Sequence, residues 1–160
     1  MNEIETQPEI GIAEPDRQAV AAMLKSLLAD EFVLYVKTRN FHWNVMGANF
    51  SELHAFFERQ YAVLDEIIDD VAERIRALGV VSPGSMRELL AAARLKEVPA
   101  QALPAETMVE LLLEDHERLV RNLRKDVAAC VERHHDAGTS DFLTGLMEKH
   151  EKAAWMLRSH

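Results

Sequence analysis

Five side chains able to hold a cation fall on one side of a single stretch of the chain: His54, Glu58, Asp65, Asp69 and Glu73. At about 100° per residue of α-helix they cover an arc of about 100°. Imidazole plus carboxylates, without thiolate, is a donor set for iron, manganese or zinc. His54 and Glu58 stand one helical turn apart, as do Asp69 and Glu73, so each pair suits one ion. Glu58 and Asp69, however, are separated by about 16 Å of helix axis at about 1.5 Å per residue. One helix cannot bring both pairs to one ion. Two copies running antiparallel across a two-fold axis can, because His54 mirrors Glu73 and Glu58 mirrors Asp69 about the same point, between Val63 and Leu64. Such a dimer brings His54 and Glu58 of one chain toward Asp69 and Glu73 of the partner subunit, twice. His42, upstream, adds a second imidazole. The competing reading is a solvated acidic flank, since carboxylates at this spacing are common in an acidic protein.

These residues need long helices to carry them. After Pro15, with Asp16 as the expected N-cap, Val20, Met23, Leu24, Leu27 and Leu28 recur at helical spacing. The run from Phe32 to Val36 is apolar nearly all round, as in a helix buried on two sides. Gly47 is the expected stop. A second helix is predicted from Ser51 to Leu78. Phe57, Leu64, Val71 and Leu78 form a heptad seam in it, interleaved with Tyr61, Ile68 and Ile75. The carboxylate stripe flanks that seam. A short amphipathic piece follows from Ser85 to about Leu95. A third helix is predicted from Ala105 to His134, carrying Met108, Leu112, Leu119, Leu123, Val127 and Val131. Gly138 is read as the break, and Thr139 as the cap of a fourth helix running through Leu157. No alternating strand pattern of useful length is present. The fold class is all-α, a four-helix bundle with a short helix in the crossover between helices two and three. The expected organisation is a disordered tail over 1–15 and one bundle over 16–160.

Composition sets the outer limits. A chain of 160 residues, 48% apolar and 28% charged, suits one globular domain. The lone Cys130 excludes an internal disulfide and points to a reducing compartment. The N-terminus has neither the basic nor the apolar run of a signal or transit peptide, and no segment reaches the roughly 20 apolar residues of a membrane span. A cytoplasmic protein is expected. The net charge of −9 repels phosphate backbones and suits cations, although acidity also serves solubility alone.

The sequence around the candidate ligands is specific. Lys37 to Gly47 reads Lys-Thr-Arg-Asn-Phe-His-Trp-Asn-Val-Met-Gly, followed by His54-x-x-x-Glu58 and by Asp69-x-x-x-Glu73-Arg74. Together these segments resemble the Dps family, the starvation-induced mini-ferritins, over most of residues 16–159. The resemblance implies a ferritin-like bundle and an intersubunit ferroxidase centre. Its ligands would be His42, His54 and Glu58 from one subunit with Asp69 and Glu73 from its two-fold partner. Two iron ions would occupy each site, and zinc or manganese could substitute. Glu58 departs from the aspartate that many members carry. The resemblance further implies a homo-oligomer of twelve subunits forming a hollow shell, oxidation of Fe(II) by hydrogen peroxide or oxygen, and storage of ferric oxide.

In the same picture Trp43, directly after His42, intercepts stray oxidising equivalents; a packing role at a helix end is the alternative. Trp155 and Tyr61 are expected in the core. Asp136 and Asp141 are the candidates for lining a three-fold pore, with Glu132 behind them, although Asp141 also suits the first turn of a helix. Glu132 and His135 form half of a ferritin di-iron motif but stand alone at a helix end, which favours a surface role. His116 and His150 are expected at the core edge or exposed. The alternative function is a nucleoid-associated, DNA-protecting oligomer. Residues 1–16 contain no lysine or arginine, so DNA binding through a basic tail is not expected.

Overall fold

In a computed structural model that describes residues 7–160, the apolar seam of the second long helix lies against the first. The order is α1 (Glu14–Asn44), α2 (Phe50–Ala77), α3 (Met86–Ala92), α4 (Ala105–Glu132) and α5 (Ala137–Arg158). The architecture is an all-α four-helix bundle. α1 with α2 and α4 with α5 form two closely packed helical hairpins, and α3 rests on α1 within the crossover from α2 to α4. Contacts between Tyr35 and Tyr61 and between His42 and His54 show that α1 and α2 run antiparallel. The core is continuous along the bundle, from Val20, Leu24 and Leu28 through Phe57, Leu64 and Val71 to Leu119, Leu123 and Leu143. Among the described residues, no helix is long and apolar enough to cross a membrane.

Helix ends differ from the sequence expectation for local reasons. α1 starts at Glu14, with Ala13 in the N-cap position and Pro15 in its first turn. Proline fixes the φ that a first turn needs, so Asp16 is not the cap, and its carboxylate instead faces His134 Nδ1 at 2.9 Å. At the other hairpin Thr139 is likewise not the cap. Asp136 is: its Oδ1 accepts the Thr139 backbone N–H at 2.8 Å. Gly138 therefore lies inside the first turn of α5. The chain turns instead at His135, whose φ of +54° is left-handed. α3 has a full capping box between Ser85 and Glu88.

Of the expected disordered tail, residues 1–6 lie outside the described residues. Gln7 and Pro8 meet the bundle: Arg17 donates to the Gln7 side-chain oxygen at 3.1 Å and to the Leu78 carbonyl at 3.0 Å, and Pro8 lies against Gly79.

Burial differs from the sequence expectation at several positions. Trp155 is 61% exposed, because α5 turns that face away from its own bundle, and Val131 is exposed on α4. His116 and His150 are wholly enclosed, since they bond to each other between α4 and α5. Tyr61 is half-buried at the edge of the α1–α2 hairpin. Cys130 is buried and free. Burial, with Asp136 and Asp126 nearby, pushes its thiol up to about 11.

Two buried charges on α1 are matched by carboxylate or cation partners. Lys37 Nζ on α1 meets Asp115 Oδ2 on α4 at 2.5 Å. Asp30 on α1 accepts from the backbone N–H groups of Arg94 at 2.6 Å and Leu95 at 2.9 Å, and from Arg94 Nε at 2.8 Å. It thereby pins the end of the short helix to the bundle. Removing one partner of a buried, hydrogen-bonded charge typically costs about 3–5 kcal/mol. Asp30→Ala is therefore expected to lower the unfolding free energy from urea titration by an amount in that range, compared at fixed protein concentration, whereas Glu97→Ala on the adjoining loop should leave it within about 0.5 kcal/mol.

Candidate metal centre

The corner between α1 and α2 holds the two histidines. α1 ends at Asn44, the chain reverses through Gly47 with φ +114°, and the Phe50 N–H closes the turn on the Gly47 carbonyl at 3.2 Å. A φ of this sign suits glycine and strains any side chain. The reversal lays the His42 and His54 rings face to face, with centroids 3.8 Å apart and planes 21° from parallel. The rings are held reciprocally. His42 Nδ1–H donates to the His54 carbonyl at 2.8 Å, and His54 Nδ1–H donates to the His42 carbonyl at 2.8 Å. A carbonyl oxygen only accepts, so each Nδ1 carries a proton. The ring atom left to each histidine is Nε2. This is the outer-shell arrangement that orients metal-binding imidazoles.

The surroundings are aromatic. Phe50 stacks on His54 at 5.1 Å, and Tyr61 meets His42 edge-on at 5.2 Å. The Arg39 guanidinium lies 4.4 Å from the Tyr61 ring centre and 5.6 Å from that of Trp43. It also donates to the Tyr35 hydroxyl at 2.6 Å. Trp43 is 63% exposed, so it does not pack in the core of its own chain.

The carboxylates stand apart from this corner. Glu58 lies one turn beyond His54 and is exposed; Asp65, Asp69 and Glu73 are exposed farther along α2. Within one chain, no three His, Cys, Asp or Glu side chains among the described residues form a group that could hold a metal ion. The structure thus brings His42 and His54 together and leaves Glu58, Asp69 and Glu73 at the surface.

The pore candidates separate. Asp136 is buried, and its carboxylate accepts from Thr139 Oγ1 at 2.5 Å as well as capping α5. Arg74 reaches it at 3.3 Å and donates to Thr139 Oγ1 at 3.0 Å. Asp136 therefore ties the end of α2 to the start of α5. Asp141, Glu132 and His135 are exposed. Arg74 and Arg39 were not singled out from sequence. The available signal for each was its place beside a ligand motif, after Glu73 in one case and before His42 in the other.

Comparison with known proteins gives this geometry its context. The ferritin-like domain family matches residues 21–160. A DNA protection during starvation protein of Bacillus anthracis is 39% identical over 140 residues, covering 88% of this chain and 94% of that one. This chain belongs to the Dps family. An uncharacterised low temperature-induced protein of Nostoc sp. is 48% identical over 150 residues, covering 94% of this chain and 84% of its own. The crystal structure of the Vibrio cholerae Dps protein, described as a member of a broad superfamily of ferritin-like diiron-carboxylate proteins, superposes with a TM-score of 0.90. Its identity is 32%, over 99% of this chain and 98% of that chain. The Dps fold thus accounts for the crossover helix α3 and for the two helical hairpins.

Because backbone carbonyls set the two rings, the turn is the handle on them. Gly47→Val forces a β-branched residue into left-handed φ. It is expected to weaken Co(II) binding by about 10–100-fold while far-UV circular dichroism stays unchanged, as read by titration of the cobalt absorption bands.

Proposed function

We propose that this Dps protein oxidises Fe(II) at sites shared between two-fold related subunits and stores the ferric product inside a hollow shell of twelve chains in the cytoplasm. The observation that carries this reading is the reciprocally held pair His42 and His54, whose two Nε2 atoms are left for ligation. The exposed carboxylates at mirror-related positions on α2 support it. His42, His54 and Glu58 of one subunit would bind iron together with Asp69 and Glu73 of the partner subunit. The hard carboxylates and borderline imidazoles suit Fe(II), and they suit Zn(II) or Mn(II) as substitutes.

Iron here is substrate. Hydrogen peroxide takes one electron from each of two Fe(II) ions; its O–O bond breaks, and both oxygens end as hydroxide or oxide on Fe(III). Pairing the ions in one site avoids the one-electron cleavage that frees hydroxyl radical. Molecular oxygen is the alternative oxidant. Glu58 keeps the charge of the aspartate found in many relatives and adds one methylene, which changes reach rather than chemistry. Trp43, exposed beside His42, offers an oxidisable ring to equivalents that escape. Asp141, near the start of α5, is the carboxylate proposed for the pore.

DNA protection is the second reading, drawn from the names of relatives such as the Bacillus anthracis protein. The net charge of −9 opposes it. Gel-shift titration at low salt separates the two: retarded DNA at micromolar protein supports DNA binding, and unretarded DNA beside rapid iron oxidation supports the ferroxidase.

A shared site makes a specific claim about mixtures. Asp69→Ala and His54→Ala shells are each expected to oxidise Fe(II) at the blank rate. Co-refolded in equal amounts, random assembly leaves about one quarter of the sites with neither change. Peroxide-driven oxidation should return to about that fraction of the unmodified rate. Mixed shells that stay at the blank rate contradict the proposal.

A further inference from the structure

Glu31 on α1, His150 on α5 and His116 on α4 meet inside the bundle, away from the candidate metal centre, and all three are buried. His150 Nε2–H donates to Glu31 Oε1 at 2.8 Å. His150 Nδ1 faces His116 Nδ1 at 2.9 Å. Glu31 Oε2 has no hydrogen-bond partner among the described residues. The iron chemistry proposed above uses none of the three. The other charged groups around them are already matched: Asp30 holds Arg94, and Lys37 holds Asp115, while Asp126 on α4 lies toward the Asp30–Arg94 pair. α2 contributes no buried ionisable side chain, its one buried polar residue being Gln60, and α3 buries only Leu89. His150 is the only ionisable residue buried along α5.

Two ring nitrogens 2.9 Å apart hold one hydrogen between them, because one must donate and the other accept. While that contact is closed the two rings have room for one positive charge between them at most, whereas two separated imidazoles have room for two. A further proton on His116 would set two N–H groups against each other and place two cations side by side in a low dielectric.

We propose that Glu31, His150 and His116 form a one-proton latch that joins α1, α5 and α4 at neutral pH and opens in acid. Burial first, and then the charge on His150, holds His116 well below the usual histidine range. The sign follows from linkage. Once opened to solvent, His116 takes up a proton at about pH 6.5, whereas in the closed bundle it does not. Well below that pH the open form binds one more proton than the closed one can hold, and opening becomes favoured by about tenfold per pH unit.

Hydrogen exchange on the assembled protein reads opening directly. Protection factors of the α4 and α5 amides flanking His116 and His150 are expected to fall by up to about tenfold per pH unit from about 6.5 to 5. His116→Asn keeps a hydrogen-bonding partner for His150 but gains no proton, so its protection should stay flat over that range. His116→Gln, a second neutral replacement, should behave as His116→Asn does. Protection independent of pH in the unmodified protein overturns the latch. So does His116→Asn or His116→Gln that falls as steeply as the unmodified protein, and the His116→Gln comparison stands by itself if His116→Asn does not fold.

Discussion

A straight α-helix holds its side chains at fixed intervals, and that rigidity governs the function proposed for this chain. Helix α2 runs unbroken from Phe50 to Ala77. It presents a histidine and a carboxylate near its start and two carboxylates some three turns later, with no bend to bring them together. The two ends of the stripe can serve one ion only if a second helix supplies the missing half. The bundle behind α2 enforces this. Leu64, Val71 and Ile75 are wholly buried in the core, so the opposite flank is held outward. Under the proposed function, assembly and chemistry then become one problem, because a lone chain would carry half-sites.

The imidazole half is built inside one chain, and it is built from backbone. Gly47 reverses the chain, and the carbonyls of His42 and His54 each take the Nδ1 proton of the other residue. A preset pair of rings costs little to order when an ion arrives. The carboxylates proposed for the other half stand exposed on α2. Arg74 plays a related part at the far end of α2. Its contacts with Thr139 and the capping Asp136 fix where that helix ends against α5. The buried pairs Lys37–Asp115 and Asp30–Arg94 then set α4 and the crossover against α1.

Much of this was legible in the residues. Heptad spacing through Phe57, Leu64 and Val71 located α2, and the long stretch after Gly79 announced the crossover that separates a ferritin-like bundle from a simple up-and-down one. The mirror relation among His54, Glu58, Asp69 and Glu73 was plain arithmetic on a helix. What sequence did not disclose depended on partners distant in the chain. Asp136 read as a candidate pore carboxylate, but its oxygens are taken by Thr139 and Arg74. His116 and His150 read as core-edge or exposed residues, because nothing local reveals that each will find the other across 34 positions. Trp155 looked like core by its hydrophobicity, yet periodicity alone does not say which apolar face of a helix meets its own bundle. The match with the Dps family settles the fold and leaves the polar interior of this chain to be read residue by residue.

Anomalous diffraction from crystals soaked in Fe(II) without oxidant addresses the shared site most directly. The account predicts iron at about 2.0–2.3 Å from Nε2 of His42 or His54 and from a Glu58 oxygen, with the remaining ligands being Asp69 and Glu73 of the partner subunit. Iron held by the residues of one chain alone, or ordered iron that leaves His42 and His54 untouched, would contradict it.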